Sequence, residues 1–304
     1  MILARGRQLI VVALGITTLV FFLARVSGDP ALLLAGPDAS EELVQTIRSD
    51  LGLDDPIMVQ YGRFLQDLTR LDFGDSFRLK TPAMDAVIER LPLSLLLAGT
   101  ALVISFLIGV PAGLIAAVRR GRPSSRIVMA GAMFFQSAPG FVVGIVLILV
   151  FAANLGWFPT FGSGTPRHLV LPAITLAAGM TARQVRLVQA YASEELASGY
   201  VRTCRSLGYS ERRIRYRHIL RNVMVPLVSL LGIEFGLFVA GAVITEAVFS
   251  WPGLGRLMVT AVTTRDYPVI QAGVFVIGVL VVFVNFVVDL TYQLIDPRLR
   301  TKTT

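Results

Sequence analysis

The sequence has very few of the residues that carry most enzyme chemistry. Its 304 residues include one cysteine, Cys204, and two histidines, His168 and His218, which lie far apart in the chain. A single cysteine excludes an intrachain disulfide, and two isolated histidines make no Cys/His metal cluster. Cys204 is interpreted as a small apolar residue, with redox sensing as the alternative, and both histidines as interfacial polar residues. No catalytic residue and no metal site are predicted.

Lysine is almost absent as well, because Lys80 and Lys302 are the only two. A Walker-type phosphate-binding loop needs a lysine directly after a glycine. Neither lysine follows a glycine, and the spacing between Gly74 and Lys80 is wrong for such a loop. The chain is therefore not expected to bind ATP.

Charged residues are scarce and apolar residues abundant. Only 16% of the residues are charged, 54% are hydrophobic, and the mean hydropathy is +0.70, whereas soluble domains average about 25% charged residues. Long apolar runs indicate a chain embedded in a bilayer. The net charge of +8 would also suit nucleic acid, but 18 of the 28 basic residues fall on one side of the topology derived below. Membrane orientation explains this asymmetry, so no nucleic-acid partner is expected.

Six transmembrane helices are predicted. In residues 1–28, Arg5 and Arg7 precede an apolar run without a small-x-small cleavage site, so this segment is interpreted as an uncleaved first span. Five later segments are each long enough to cross a hydrocarbon core of about 30 Å. They are residues 92–118, 125–153, 168–190, 223–248 and 269–295.

Glycine and proline punctuate these spans. Pro111 is expected to kink the first of the five segments, and the sequence Ser137-Ala138-Pro139-Gly140 is expected to kink the second. Glycine pairs four residues apart predict close helix packing; they are Gly109/Gly113, Gly140/Gly144 and Gly232/Gly236.

Residues 29–90 are predicted to form a helical insert outside the membrane. The segment has twelve acidic and six basic residues. Ser40, followed by two glutamates, predicts a capped amphipathic helix, and Pro56 predicts the start of a second. A turn is expected at residues 72–75, and a third short helix from Thr81 to residues 89–90.

An even number of spans places both termini on the same face. Arginines cluster on that face at both termini, at residues 119–126 and at residues 200–226. By the positive-inside rule this face is cytoplasmic. The acidic insert and the loops that contain Trp157 and Trp251 are then expected outside.

The most distinctive local feature is a polar stretch at residues 200–226, named here the basic elbow. It contains one carboxylate, Glu211, no lysine, and a break at residues 207–210 around Gly208. A basic surface helix on anionic lipid is one interpretation. Docking to a partner protein is the other, and it is favoured because the planar guanidinium group suits carboxylates and backbone carbonyls. The arginines are Arg202, Arg205, Arg212, Arg213, Arg215, Arg217 and Arg221.

Longer motifs recur along nearly the whole chain. They are GDP at residues 28–30, LGLDDP at 51–56, QY at 60–61, LDFGDS at 71–76, YVRT at 200–203 with Gly208, RHILRN at 217–222 with Pro226, FSWPGLGR at 249–256, RDYPVIQ at 265–271, NFVVD at 285–289 and DPRLR at 296–300. In this order they resemble the B-type permease of the dipeptide/oligopeptide/nickel group of ABC importers. One departure is Arg202-Thr203-Cys204, where the general permease pattern has Glu-Ala-Ala.

This resemblance implies the permease fold of type I ABC importers, with a five-helix core at residues 91–304 and a cytoplasmic coupling loop at residues 191–222. It also implies a bacterial inner membrane, a second homologous permease, two cytoplasmic ATPases that bind ATP and Mg²⁺, and an extracytoplasmic solute-binding protein. The residues implied in ATPase coupling are Arg202, Thr203, Arg205, Gly208, Ser210, Glu211, Arg212 and Arg213. Those implied in binding-protein docking are Asp72, Phe73, Trp251, Arg256 and Asp266.

Four polar residues fall within or near predicted spans. Because charge is costly in a bilayer, Glu234, Asn285 and Asp289 either line the translocation path or bond to a neighbouring helix. Glu246, beside Trp251, is expected to anchor the external loop. These groups form no ladder of ionisable residues across the membrane, which disfavours a proton relay.

The expected function is one half of the pathway of an ATP-driven peptide importer, in a chain that is not itself an enzyme. Nickel chelate, glutathione and haem remain alternative cargoes. A secondary transporter or channel that works alone, and a membrane sensor, are alternatives from other classes. They would leave the basic elbow without a role, and the sensor would lack a signalling domain.

Overall fold

The computed structural model describes residues 14–15, 17–23, 25, 30–35, 39–50 and 52–295. These residues are mostly helical, with an isolated bridge between Asp75 and Pro82. Much of the expected first span and the basic residues of both termini lie outside the described residues. The helices are α1 Pro30–Ala35, α2 Glu41–Asp50, α3 Ile57–Thr69, α4 Ala83–Val118, α5 Pro123–Ser137, α6 Gly140–Leu147, α7 Pro166–Ala197, α8 Gly199–Ser206, α9 Glu211–Arg213, α10 Leu220–Val248, α11 Leu254–Thr263 and α12 Tyr267–Ile295, with π-helices π1 Ile148–Asn154 and π2 Ile214–Ile219.

Both helices expected early in the insert are present. Ser40 Oγ accepts a hydrogen bond from Leu43 N at 3.3 Å at the start of α2, and α3 begins directly after Pro56. The expected turn at residues 72–75 also forms: Gly74 has φ +78° and donates its N–H to Asp72 Oδ1 at 2.9 Å. Local cap and turn chemistry therefore predicted this segment well.

The expected third short helix is wrong in its end point. Helix α4 starts at Ala83 but does not stop at residues 89–90; it runs for 36 residues to Val118. Pro92 removes only one helix hydrogen bond, whereas ending the helix there would leave several carbonyls unpaired at the start of an apolar span. The expected insert thus continues directly into a helix that is long and apolar enough to span a membrane.

Two described helices are long and apolar enough to span a membrane, at Ala83–Val118 and Tyr267–Val288. The pair Pro123–Ser137 and Gly140–Asn154 makes a third span if it counts as one, and it is bent by 104°. The bend confirms the kink expected at Pro139, which has no N–H to continue the helix. A total of six spans remains a prediction.

The chain forms two compact units, and α4 and α12 contribute to both. The first unit comprises residues 1–92 and 253–282, and the second comprises residues 93–252 and 283–304. In the first unit, apolar side chains from the 72–75 turn and from α4, α11 and α12 form one buried cluster, which includes Phe73, Val87, Leu254, Met258 and Val269.

In the second unit, α7 is the central helix and contacts α5, α6 and α10. It also packs closely on α4. A Cβ added to Gly113 would lie 2.7 Å from Val188 Cβ, and one added to Gly109 would lie 2.8 Å from Gln184 Oε1. Only glycine allows this approach, so the Gly109/Gly113 pair is confirmed as a close helix contact. Gly140, in contrast, faces open space.

We expect Gly113→Ala to loosen the contact between α4 and α7. The new methyl group would also lie 2.8 Å from the Val185 carbonyl oxygen, which is backbone and cannot rotate away. Overpacking of this kind costs about 1–3 kcal/mol. The measurement is the thermal midpoint of the purified protein in detergent. Gly99→Ala is the matched control, because Gly99 lies in the same helix and faces open space; equal midpoints for the two variants would contradict the prediction.

Candidate functional site: the basic elbow and a buried ion pair

The basic elbow is built by two helix ends that meet at Gly208. Helix α8 ends in a Schellman motif: Tyr209 N bonds to Cys204 O, and Gly208 N bonds to Arg205 O, both at 3.0 Å. Gly208 has φ +79°, a conformation that costs energy for any residue with a Cβ. Ser210 then caps the next helix by accepting a hydrogen bond from Arg213 N at 3.3 Å. The break expected around Gly208 is therefore a defined turn.

Apolar side chains hold the elbow on the second unit. Val201, Ile214 and Ile219 are fully buried. They pack in one cluster with residues of α4, α7 and α10, among them Leu114 and Val188. Burying aliphatic side chains of this size contributes about 1.5–3 kcal/mol each. The elbow is thus attached to the second unit through its inner face.

The outer face of the elbow carries every residue expected to contact an ATPase. All eight are exposed: Arg202, Thr203, Arg205, Gly208, Ser210, Glu211, Arg212 and Arg213. Two apolar side chains that the sequence did not predict to be part of this surface are exposed with them, Leu207 at 66% and Tyr216 at 60%. Exposed apolar side chains beside charged ones are typical of protein contact surfaces.

Glu211 organises part of the charge on this surface. Its Oε1 accepts a hydrogen bond from Arg205 Nε at 2.7 Å, and its Oε2 lies 3.9 Å from Arg215 Nε. The hydrogen bond from Arg205 is the main reason that the pKa of the Glu211 carboxyl lies below its usual value. Any stabilisation from this pair is therefore present at neutral pH and lost only as the pH falls through that lowered pKa.

The arginines of the elbow are consequently not equivalent. Arg205 is bound to Glu211, and Arg213 lies over the Tyr209 ring at 4.6 Å. Within the described part of the chain, Arg202 and Arg212 make no ion pair. Arg217 and Arg221 are also exposed and make no ion pair there, so these four have the charge most available to a partner.

A polar cluster ties α8 to its neighbours. Tyr200 donates its hydroxyl to Glu195 at the end of α7, and Asn222 in α10 donates to the same carboxylate at 2.8 Å. Burial first, and then the nearby Glu195 carboxylate, raise the pKa of Tyr200 to about 12. The phenol stays protonated at physiological pH and remains a donor.

Glu234, the first of the intramembrane polar residues, forms an ion pair that the sequence did not indicate. Its side chain is 1% exposed and accepts two hydrogen bonds from the guanidinium group of Arg183 in α7. Arg183 is itself 35% exposed. A bidentate pair is the arrangement that best satisfies a charge removed from water. Glu234 was expected either to line the translocation path or to bond to a neighbouring helix. The contact with Arg183 supports the second interpretation.

The other polar residues expected within or near spans are Asn285, Asp289 and Glu246. Asn285 is half-buried in α12, and the side chain of Asp289 lies outside the described residues. Glu246 is fully buried and accepts a hydrogen bond from Ser94 Oγ at 2.5 Å. Its backbone oxygen also accepts a hydrogen bond from Trp251 N at 2.8 Å, which links the end of α10 to the loop that contains Trp251. An anchoring role for the Glu246 side chain stays a prediction.

Three of the five expected docking residues have buried side chains. Trp251 is 3% exposed and donates its indole N–H to Leu93 O at 3.2 Å, and Phe73 lies in the core of the first unit. Asp266 is buried too, and accepts from Ser76 Oγ at 2.5 Å and Phe77 N at 3.1 Å. These side chains hold loops in place and are not available to a docking partner, which corrects that expectation. Asp72 and Arg256 are exposed.

Comparison with known proteins identifies the family to which the chain belongs. Residues 109–301 match the family described as "Binding-protein-dependent transport system inner membrane component", and residues 1–98 match its N-terminal family. The chain belongs to this family. It is 40% identical over 288 residues to the "Glutathione transport system permease protein GsiC" of Escherichia coli (strain K12) and to that of Shigella flexneri serotype 5b (strain 8401), with 94% of each chain covered.

The fold of the permease agrees with this assignment. A crystal structure titled "Inward facing conformations of the MetNI methionine ABC transporter" matches with a TM-score of 0.60 at 20% identity, over 69% of this chain and 96% of the other. The chain is therefore an inner-membrane permease subunit of a type I ABC importer, of the dipeptide/oligopeptide/nickel group, and not an enzyme. A transporter or channel that works alone is excluded by this membership.

For the permease, we expect Arg183→Gln to be strongly destabilising, because it leaves the Glu234 carboxylate buried without a counter-charge. Breaking a fully buried pair costs about 3–5 kcal/mol, and the cost is smaller here because Arg183 is partly exposed. The double variant Arg183→Gln with Glu234→Gln should recover much of the loss. Thermal midpoints of the single and double variants provide the measurement; a double variant less stable than Arg183→Gln alone would contradict the pairing.

Proposed function

We propose that this permease forms one half of the translocation pathway of a peptide importer, with six spans and both termini in the cytoplasm. A second homologous permease completes the pathway, an ATPase docks on the basic elbow of each permease, and residues 29–90 form an extracytoplasmic insert. The observation that carries the proposal is the elbow itself: an exposed basic surface held on an apolar inner face of three fully buried side chains.

The elbow suits rigid transmission of movement. Its two helical arms follow α7 and lead into α10, so displacement of the elbow acts on two long helices of the core. Closure of the ATPases on ATP would shift α8 and thereby α7 and α10, opening the pathway on the far side of the membrane. Arg202 and Arg212 supply the charge for ATPase carboxylates and carbonyls, and Leu207 supplies an apolar contact.

We expect Gly208→Ala combined with Glu211→Gln to uncouple transport from ATP hydrolysis. Alanine is strained at φ +79°, and glutamine releases Arg205 and Arg215 from their carboxylate. Cargo uptake by the complete transporter in liposomes should fall about tenfold or more, while basal ATP hydrolysis persists. Both are measured on the same preparation.

The matched control for this variant is Gly199→Ala. Gly199 is also an exposed glycine of the elbow region, but it starts α8, faces open space and has no positive φ. Its uptake should equal that of the wild type. Unchanged cargo-stimulated hydrolysis and uptake in the double variant would sink the coupling proposal.

Of the five residues expected to dock the solute-binding protein, Asp72 and Arg256 are exposed. We propose them as contacts for the solute-binding protein. Phe73, Trp251 and Asp266 support the same loops from inside, by packing and by hydrogen bonds.

Peptides are the proposed cargo, because the motifs match the peptide-transporting group. Glutathione is a second candidate, supported by the relatives at 40% identity that are named as glutathione permeases. Nickel chelate and haem remain alternatives from the same group. Selection between them rests largely with the binding protein that delivers the cargo.

The cargo is tested by uptake into liposomes that contain both permeases and both ATPases, with the binding protein outside. Radiolabelled tri-alanine should accumulate only with ATP, and an excess of unlabelled tri-alanine should compete more strongly than an excess of glutathione. Uptake of labelled glutathione without uptake of tri-alanine would replace the peptide assignment with glutathione. Uptake without ATPases would contradict the importer mechanism.

A further inference from the structure

Two arginines of α7 lie side by side but share only one carboxylate. Arg183 and Arg186 are three residues apart, so they are neighbours on the helix surface. Arg183 is paired with Glu234. Arg186 is exposed, and its Nη1 donates to the neutral amide oxygen of Gln136 in α5. No carboxylate of the described residues pairs with Arg186, and the sequence from residue 90 to residue 193 contains no Asp or Glu.

Both arginines lie in the predicted span 168–190, and Arg186 is four residues, about 6 Å of helix, from the end predicted to face the cytoplasm. Gln184, between them, donates to Ser105 Oγ at 3.1 Å, and Ser105 is at the centre of the apolar stretch 92–118.

An unpaired charge within a span is costly unless it faces water or a partner. In a permease, the translocation pathway is one aqueous face that such a charge can use. Arg183 does not add to this charge, because Glu234 occupies its Nε and Nη2, and its Nη1 lies beside Gly179, seven residues before Arg186 in the chain.

We propose that Arg186 binds the carboxylate of the cargo on its way through the membrane. Guanidinium groups match carboxylates in shape and charge, and a local excess of one positive charge favours an anionic group. A peptide offers its C-terminal carboxylate for this purpose, and glutathione offers two carboxylates. This inference rests on the proposed function, and it adds a residue that selects cargo by its carboxylate.

The test compares tri-alanine with tri-alanine amide, which lacks the carboxylate, in the complete transporter. The same binding protein delivers both peptides to every variant, so its own preference cancels when variants are compared. Arg186→Gln should lower the ratio of carboxylate to amide uptake about tenfold, the equivalent of one charge-assisted hydrogen bond. Arg186→Lys keeps the charge and should retain most of the ratio. Arg167→Gln, an exposed arginine at the opposite end of α7, is the matched control and should leave the ratio unchanged.

A second variant separates cargo binding from a merely structural role. Gln136→Glu places a carboxylate beside Arg186 and should compete with the cargo, so the ratio falls as in Arg186→Gln. Neither variant should lower the thermal midpoint of the purified complex, because neither removes a charge pair from the chain. If Arg186 instead pairs with an acidic residue of the other permease, Arg186→Gln should lower the midpoint and reduce uptake of both peptides equally.

The outcomes separate this inference from the proposed function. A wild-type complex that takes up tri-alanine, with an unchanged uptake ratio in Arg186→Gln, overturns the carboxylate site alone. A wild-type complex that takes up glutathione but not tri-alanine overturns the peptide assignment alone. The site is then tested by the glutathione uptake of the same variants, which should fall about tenfold in Arg186→Gln and Gln136→Glu; uptake equal to the wild type overturns the site.

Discussion

A charge within the hydrocarbon of a bilayer must find a partner or water, and this requirement arranges the centre of the second unit. Glu234 is almost completely buried and is held by Arg183 across the contact between α7 and α10. At the same level, Gln184 bonds to Ser105 where α4 and α7 approach through glycine. These polar contacts set the register of three helices, whereas apolar packing alone would allow them to slide.

Helix α7 connects that centre to the basic elbow. It carries Arg183 and Arg186 in its middle and leads through Ala197 into α8. The elbow buries Val201, Ile214 and Ile219 against α4, α7 and α10, and turns its arginines outward. Helix α7 therefore carries the proposed carboxylate site and is joined through the single residue Ser198 to α8, which carries part of the proposed ATPase contact.

Short-range signals in the sequence predicted a large part of the fold. The cap at Ser40, the start at Pro56, the turn at Gly74, the bend at Pro139 and the break at Gly208 all occur where cap and turn residues placed them. Each depends on backbone geometry within a few residues. The predicted end of the third insert helix was wrong, because the helix continues past residues 89–90. Ending it there would leave backbone groups without hydrogen bonds where an apolar span begins.

The residues of the candidate site likewise divide into those that the sequence predicted and those whose contacts only the structure shows. The sequence by itself determined the basic elbow, its hinge, its lack of lysine and the absence of an ATP-binding motif, because these follow from residue type and spacing. Only the tertiary structure decided that Glu234 meets Arg183, that Arg186 lacks a carboxylate within the described residues, and that Trp251 and Asp266 face inward. Such pairings and burials join positions far apart in the chain, and they depend on how helices pack.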